Sequence, residues 1–216
     1  MSVIVTICLR DGIVMAADSR TTLTRTYPDG KQEITHQDGI KKIFQFGARD
    51  IGILWCGNAR VGDESVSDYL TGLSKRLDNN TRIPDIADII NTECNTRVRG
   101  ETIRCHIAGY EDGIQCMYQV VDGVITHKNI NPDLGIPTLC VVWDGQREVS
   151  GKIIHNKEKI DIGNRIVDES DIPTLSLCEG VAFAKEMLRK SCEVRDDCGE
   201  PIYSLIITPE RLTWYD

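Results

Sequence analysis

No apolar stretch in this chain approaches the roughly 18 to 20 residues that a bilayer-crossing helix requires, so none is expected. The opening segment, Met1-Ser2-Val3-Ile4-Val5-Thr6-Ile7-Cys8-Leu9-Arg10, is apolar but short. It lacks the basic flank of a signal peptide and runs on into an alternating pattern, so the expected location is cytoplasmic and no membrane partner is expected. Basic tracts are missing too. The net charge is -8, with 25 basic against 33 acidic residues, and no run of Lys and Arg is long enough to follow a phosphate backbone. Nucleic acid is therefore not an expected partner. There is no Cys-x-x-Cys pair, and His36, His106, His127 and His155 lie far apart, which argues against structural zinc. The nine cysteines are odd in number and scattered, which argues against a disulfide framework. Repeats, low-complexity tracts and dividing linkers are absent, so residues 1–216 read as one domain.

What is present is an ordinary globular composition, 41% hydrophobic and 27% charged, with clear periodicities. Residues 3–9 and 13–18 are β-rich runs separated by Asp11-Gly12, a hairpin-turn signal. Residues 19–39 are polar and Thr-rich, and read as a long loop or an extended hairpin. A second strand pair is expected at 40–46 and 51–56. Val66, Tyr69, Leu70, Leu73 and Leu77 then recur at helical spacing, as do Ile83, Ile86, Ile90 and Cys94. Pro84 suits the first turn of the second helix, where its missing N–H costs nothing. A meander is expected at 102–109, 114–121 and 124–127, turned at Asp112-Gly113 and Asp122-Gly123. Further strands are expected at 137–143, 203–208 and 211–215, and helices at 145–157 and 174–191. Antiparallel hairpins dominate, so a parallel doubly wound sheet is not expected. Two sheets with helices outside them would cover every apolar face.

Four features carry chemistry. Ser2 becomes the first residue if Met1 is trimmed, and a serine with a free α-amine holds nucleophile and base together, the amine titrating at about 7.7 to 8.0. Asp18 ends a buried apolar strand, where a carboxylate needs a cation or several donors. Lys41 and Lys42 open the next strand, and alternation turns one of them inward. An inward lysine beside Asp18 would disfavour protonation of a neighbouring amine, keeping it available as a base. Gly57, in Trp55-Cys56-Gly57-Asn58-Ala59-Arg60, ends a strand and is expected to open a helix whose free N–H groups suit an oxyanion. Taken singly, each also fits a bland role: a common start, a solvated turn, a charged edge, a plain strand-to-helix corner.

In this order, the segment from Ser2 to Thr22 resembles the start of a proteasome β-type subunit. Ala16-Ala17-Asp18-Ser19-Arg20 carries the likeness, and counting back from Asp18 places the family's N-terminal nucleophile on Ser2. The likeness is specific over about the first sixty residues and continues as element order. It implies an α+β N-terminal-nucleophile hydrolase fold, a four-layer αββα sandwich of two antiparallel sheets flanked by helices. It implies a peptidase with Ser2 as nucleophile, Lys42 (or Lys41) as site lysine, Asp18 as its partner and Gly57 as oxyanion donor. The missing propeptide resembles simpler bacterial forms such as the HslV peptidase. A polypeptide substrate, a homo-oligomeric ring and no cofactor or metal follow from the likeness, and an ATPase unfoldase is an allowed partner.

The chain also departs from that pattern. Serine replaces threonine at the nucleophile. The Gly-Ser-Gly turn of the family is matched only by Val142-Trp143-Asp144-Gly145, without its serine. In Val194-Arg195-Asp196-Asp197-Cys198-Gly199, either Asp196 or Asp197 corresponds to the family's amine-contacting aspartate, and Cys198 stands where a serine would. A non-catalytic ring or scaffold subunit and a small-molecule amidase or acylase are the alternative functions.

Overall fold

The computed structural model describes residues 2–98, 103–145 and 147–215. Trimming of Met1, the start of the strand expected at 102 and position 146 of the helix expected at 145–157 lie outside the described residues. Six strands come first: β1 (Val3–Leu9), β2 (Gly12–Ala17), β3 (Thr21–Thr26), β4 (Gln32–Gln37), β5 (Ile43–Gln45) and β6 (Gly52–Gly57). A two-residue pair, β7 (Arg60–Val61) and β8 (Glu64–Ser65), leads into helices α1 (Val66–Arg76) and α2 (Ile83–Arg97). Then come β9 (Ile103–Glu111), β10 (Ile114–Val121), β11 (Val124–His127), β12 (Cys140–Gly145) and α3 (Arg147–His155). A short pair, β13 (Ile160–Asp161) and β14 (Ile166–Val167), precedes a 3-10 turn over Glu169–Thr174 and helix α4 (Leu177–Val194). Strands β15 (Tyr203–Ile207) and β16 (Leu212–Tyr215) close the chain.

Two five-stranded antiparallel sheets result, ordered β12-β1-β2-β15-β16 and β11-β10-β9-β6-β5. Every residue of β1 and β2 is buried, which requires cover on both faces. On one face Val3, Val5, Leu9 and Val14 pack with Phe183, Met187 and Leu188 of α4. On the other, Ile4, Cys8, Ile13 and Met15 meet Leu54, Ala108 and Met117 of the second sheet. The outer side of that second sheet packs on α1 and α2 through Ile53, Cys105, Leu73 and Ile90. Gly180 lets α4 approach this closely, since a Cβ there would stand 2.5 Å from Leu9 Cδ1.

The helix ends follow from local chemistry. Ser176 and Glu179 form a reciprocal capping box at α4, satisfying two otherwise orphaned N–H groups. Helix α2 starts with Pro84 in its first turn, as expected, and has no side-chain cap of its own. Glu111 at the end of β9 substitutes, accepting from the Ile83 amide and from Arg82.

Several expectations need correction. Gly57 does not open a helix, because the β7–β8 hairpin comes between it and α1. The polar segment 19–39, expected as a long loop or an extended hairpin, does form an extended hairpin, and its β4 strand is wholly exposed. Lys41 and Lys42 precede β5 rather than starting it, and the strand expected from 137 begins at Cys140. The helix expected at 174–191 starts only at Leu177, because Pro173 and the Ser176 cap break it from the preceding turn.

Candidate active site

Ser2 is held immediately before β1 by its neighbours on three strands. The Val3 amide donates to Asp18 Oδ1 at 2.9 Å, and the Val3 carbonyl accepts from the Asp18 amide at 3.2 Å. Opposite Val3 in the β1–β12 register stands Gly145, with φ at +95°. A Cβ on Gly145 would lie 1.6 Å from the Ser2 carbonyl oxygen, so only glycine permits this approach. The end of β12 therefore seats the residue before β1.

The Asp18 carboxylate is fully buried and heavily served. Lys42 Nζ donates to Oδ1 at 2.8 Å and to Oδ2 at 2.9 Å. The amides of Arg20 (3.1 Å) and Gly199 (3.3 Å) also reach Oδ2. Lys42 donates in addition to the Arg20 carbonyl. A buried charge is tolerable only with such pairing. Lys41 lines the same cavity as Ser2 but is not the partner of Asp18; its ammonium lies 5.1 Å from the centre of the Trp214 ring and 5.8 Å from that of Tyr203.

Ser2, Lys42 and Gly57 line one cavity of about 770 Å³. Its walls come from β3, from the segment before β5, from the end of β6 and from the start of α1, and include Leu23, Phe44, Trp55 and Arg60. Gly57, at φ +102°, closes β6 at this mouth. Trp55 Nε1 donates to the Asn58 carbonyl at 2.8 Å and so folds the chain sharply after Gly57.

Asp196 and Asp197 are not among the residues lining this cavity. The Asp196 carbonyl accepts from Arg20 Nη1 at 3.0 Å, while Arg20 also grips Asp38 at 2.7 and 2.8 Å. The Asp197 carboxylate takes two bonds of 3.3 Å from Arg195. Burial would push the Asp197 carboxyl up, but the positive charge around it, Arg195 included, holds it below the usual range. Sequence reasoning missed what this segment supplies directly. The Gly199 amide bonds Asp18, and the Gly199 carbonyl accepts from the Ser19 amide at 2.9 Å. A backbone contribution leaves no side-chain signature. The serine of Ala-Ala-Asp-Ser-Arg was the available hint, since its hydroxyl also takes the Gly39 amide at 3.1 Å.

Two thiols near the site are poor nucleophiles. Burial first, with nearby carboxylates, pushes Cys56 and Cys198 each up to about 12, so both are protonated at neutral pH. Between the sheets lies a separate polar chain. Thr6 Oγ1 meets His106 Nδ1 at 2.9 Å, and His106 Nε2 meets Asp144 Oδ2 at 3.1 Å. A carboxylate only accepts, so the ring donates from Nε2 and receives the threonine hydroxyl at Nδ1. This chain ties β9 to β12, one residue before Gly145.

No protein-family model matches the sequence, and no curated protein matches it either. Solved structures do. A mutant form of Anbu from Hyphomicrobium sp. strain MC1 superposes with a TM-score of 0.66 at 17% identity, covering 100% of this chain and 85% of that one. Anbu is an HslV- and proteasome-like protein of the N-terminal-nucleophile hydrolase group. The resemblance read from residues 2 to 22 thus extends, at the level of backbone architecture, over the whole length, and the fold of this chain is that of the HslV- and proteasome-like N-terminal-nucleophile proteins.

Proposed function

We propose that the chain is a peptidase of the N-terminal-nucleophile type, with Ser2 as nucleophile once Met1 is removed. The supporting observation is the buried Lys42–Asp18 pair, whose Asp18 is bonded to the backbone beside Ser2 and whose Lys42 lines the same cavity as Ser2. In this reading the chain is one domain, a four-layer αββα sandwich, assembled into a homo-oligomeric ring in the cytoplasm around an enclosed chamber. An ATPase unfoldase would deliver polypeptides to it.

The α-amine of Ser2 takes the proton from its own Oγ, directly or through water. The Oγ attacks a peptide carbonyl. The Gly57 N–H stabilises the oxyanion, a contribution worth about 2.7 to 4 kcal/mol per donor. The amine returns its proton to the leaving nitrogen, and water releases the acyl-enzyme. Lys42, fixed by Asp18, keeps the local potential positive so that the amine stays a free base near neutral pH. Asp196 or Asp197 anchors the amine.

Intact mass measurement comes first, with loss of the initiator residue expected. Hydrolysis of denatured casein or a fluorogenic peptide mixture is then compared between the parent and Ser2→Ala, with loss of turnover expected at unchanged melting temperature and oligomer size. Equal turnover in Ser2→Ala rejects the nucleophile. A non-catalytic ring subunit is the second reading, favoured by Cys198 in place of the family's serine and by the serine-free Asp144-Gly145 turn. Retained Met1, with no adduct from a β-lactone or epoxyketone probe, would establish it.

A further inference from the structure

The cavity beside Ser2 has a charge opposite to that of the chain. The protein carries 33 acidic and 25 basic residues, yet among the described residues every charged side chain lining the cavity is basic: Lys41, Lys42 and Arg60. Lys42 is neutralised by Asp18 at 2.8 Å. The other two cations are not. Lys41 rests over the faces of Tyr203 and Trp214, which position its ammonium without cancelling its charge. The Arg60 guanidinium donates to the Asp63 backbone carbonyl, and the Arg60 amide donates to Asn58 Oδ1 at 3.1 Å. Among the described residues no carboxylate lies within 4.0 Å of the Lys41 or Arg60 cationic nitrogens.

The remaining wall mixes the apolar side chains of Leu23, Phe44 and Trp55 with uncharged polar ones such as Thr22, Asn58 and Ser67. Low-dielectric walls concentrate the field of the two cations into the cavity. Such a cavity favours a ligand that offers both apolar surface and a negative charge.

We infer that this cavity selects peptides bearing a carboxylate, either an acidic side chain near the scissile bond or a free C-terminus, through Arg60 and Lys41. The inference rests on the reading that substrate occupies the cavity beside Ser2, and it names the class of peptide that reading admits. Both cations are partly solvated, so each contributes modestly and the preference weakens as salt rises.

The test uses the full-length Ser2→Ala protein, so that binding is read without turnover. Four dye-labelled peptides of one apolar sequence differ only in a central Glu, Gln or Lys with an amidated end, or a central Gln with a free carboxylate end. Fluorescence anisotropy at low and moderate salt gives the affinities. At low salt the Glu peptide is expected to bind roughly fivefold more tightly than the Gln peptide, and the Lys peptide more weakly than either. A gain from the free end instead of the side chain identifies the terminal carboxylate as the recognised group. Lys41→Glu with Arg60→Glu is expected to reverse the order in favour of the Lys peptide, a gain that an unfolded protein could not give.

Equal binding of the charged and neutral peptides, a preference for Lys in the parent charge background, or no binding of any peptide overturns the inference. Hydrolysis by the Ser2 protein is scored separately. Turnover without charge preference rejects the selectivity and leaves the peptidase reading intact. Charge-selective binding without turnover does the reverse.

Discussion

Removing the Lys42 ammonium is the most direct test of how the site is held together. Lys42→Met keeps the length of the side chain but leaves the Asp18 carboxylate, fully buried, without its counter-ion. Breaking a buried pair from one side costs about 3 to 5 kcal/mol. Three backbone amides, of Val3, Arg20 and Gly199, would still donate to the carboxylate, at 2.9, 3.1 and 3.3 Å, so the loss belongs near the lower end of that range. For a chain of this size about 3 kcal/mol lowers the melting temperature by roughly 6 to 12 °C. Lys42→Arg should not rescue it, because the planar guanidinium is too broad for a slot that leaves the lysine side chain 8% exposed. Urea denaturation followed by circular dichroism measures the loss. Asp18→Asn with Lys42→Met should be less damaging than the sum of the two single changes, because the second removes a charge the first has already orphaned. A loss under about 1 kcal/mol for Lys42→Met, the size expected of an exposed pair, would refute the claim that this carboxylate depends on its lysine.

Gly145→Ala should lower any Ser2-dependent hydrolysis by about a hundredfold, as expected for a displacement of order 1 Å at the nucleophile, since its Cβ would overlap the Ser2 carbonyl. Turnover within threefold of the parent would show that β12 does not seat Ser2. Stability should also fall in mild acid because of His106. Burial pushes its imidazole below the ordinary 6.5, outweighing the opposing hydrogen bond to Asp144. The unfolded chain then takes a proton near 6.5 that the folded chain refuses, so unfolding is favoured as pH drops below that value, by up to about 1.4 kcal/mol per pH unit until the folded group itself titrates. A urea midpoint unchanged between pH 7 and pH 5.5 would contradict this, and His106→Gln should flatten the slope. Ser176→Ala should cost about 1 kcal/mol through loss of the α4 cap, a fall of 2 to 4 °C in melting temperature; no shift would mean the cap is dispensable.

The strands and helices with strong periodicity were legible from sequence, as at Val66–Leu77 and in the Asp112-Gly113 and Asp122-Gly123 turns, where Asp112 and Asp122 both adopt positive φ. The fold itself was legible through one short motif, Ala16 to Arg20, because a buried carboxylate at a strand end must be met by specific partners. What escaped was carried by backbone or by compensation at a distance. The β7–β8 hairpin has only two residues per strand, too few to show a period. The cap of α2 comes from Glu111, nearly thirty positions away, and no local signal announces it. Beside the expected role of Asp196 or Asp197 toward the amine, their segment supplies the amide of Gly199 to Asp18, a backbone contribution that no side-chain pattern announces. Choosing between the two lysines required the third dimension, because both precede β5 and alternation cannot rank residues outside a strand.

The donors around Asp18 have a consequence for the life of the nascent chain. They come from positions 3, 20, 42 and 199, so the last of them exists only once the chain has been made as far as Gly199. Until then a carboxylate destined for the interior lacks one of its four contributors and one wall of its enclosure. A translation product cut short before that point would leave the surroundings of Asp18 unfinished, so assembly of this buried cluster waits for synthesis of the segment around Gly199 rather than for the emergence of the first residues.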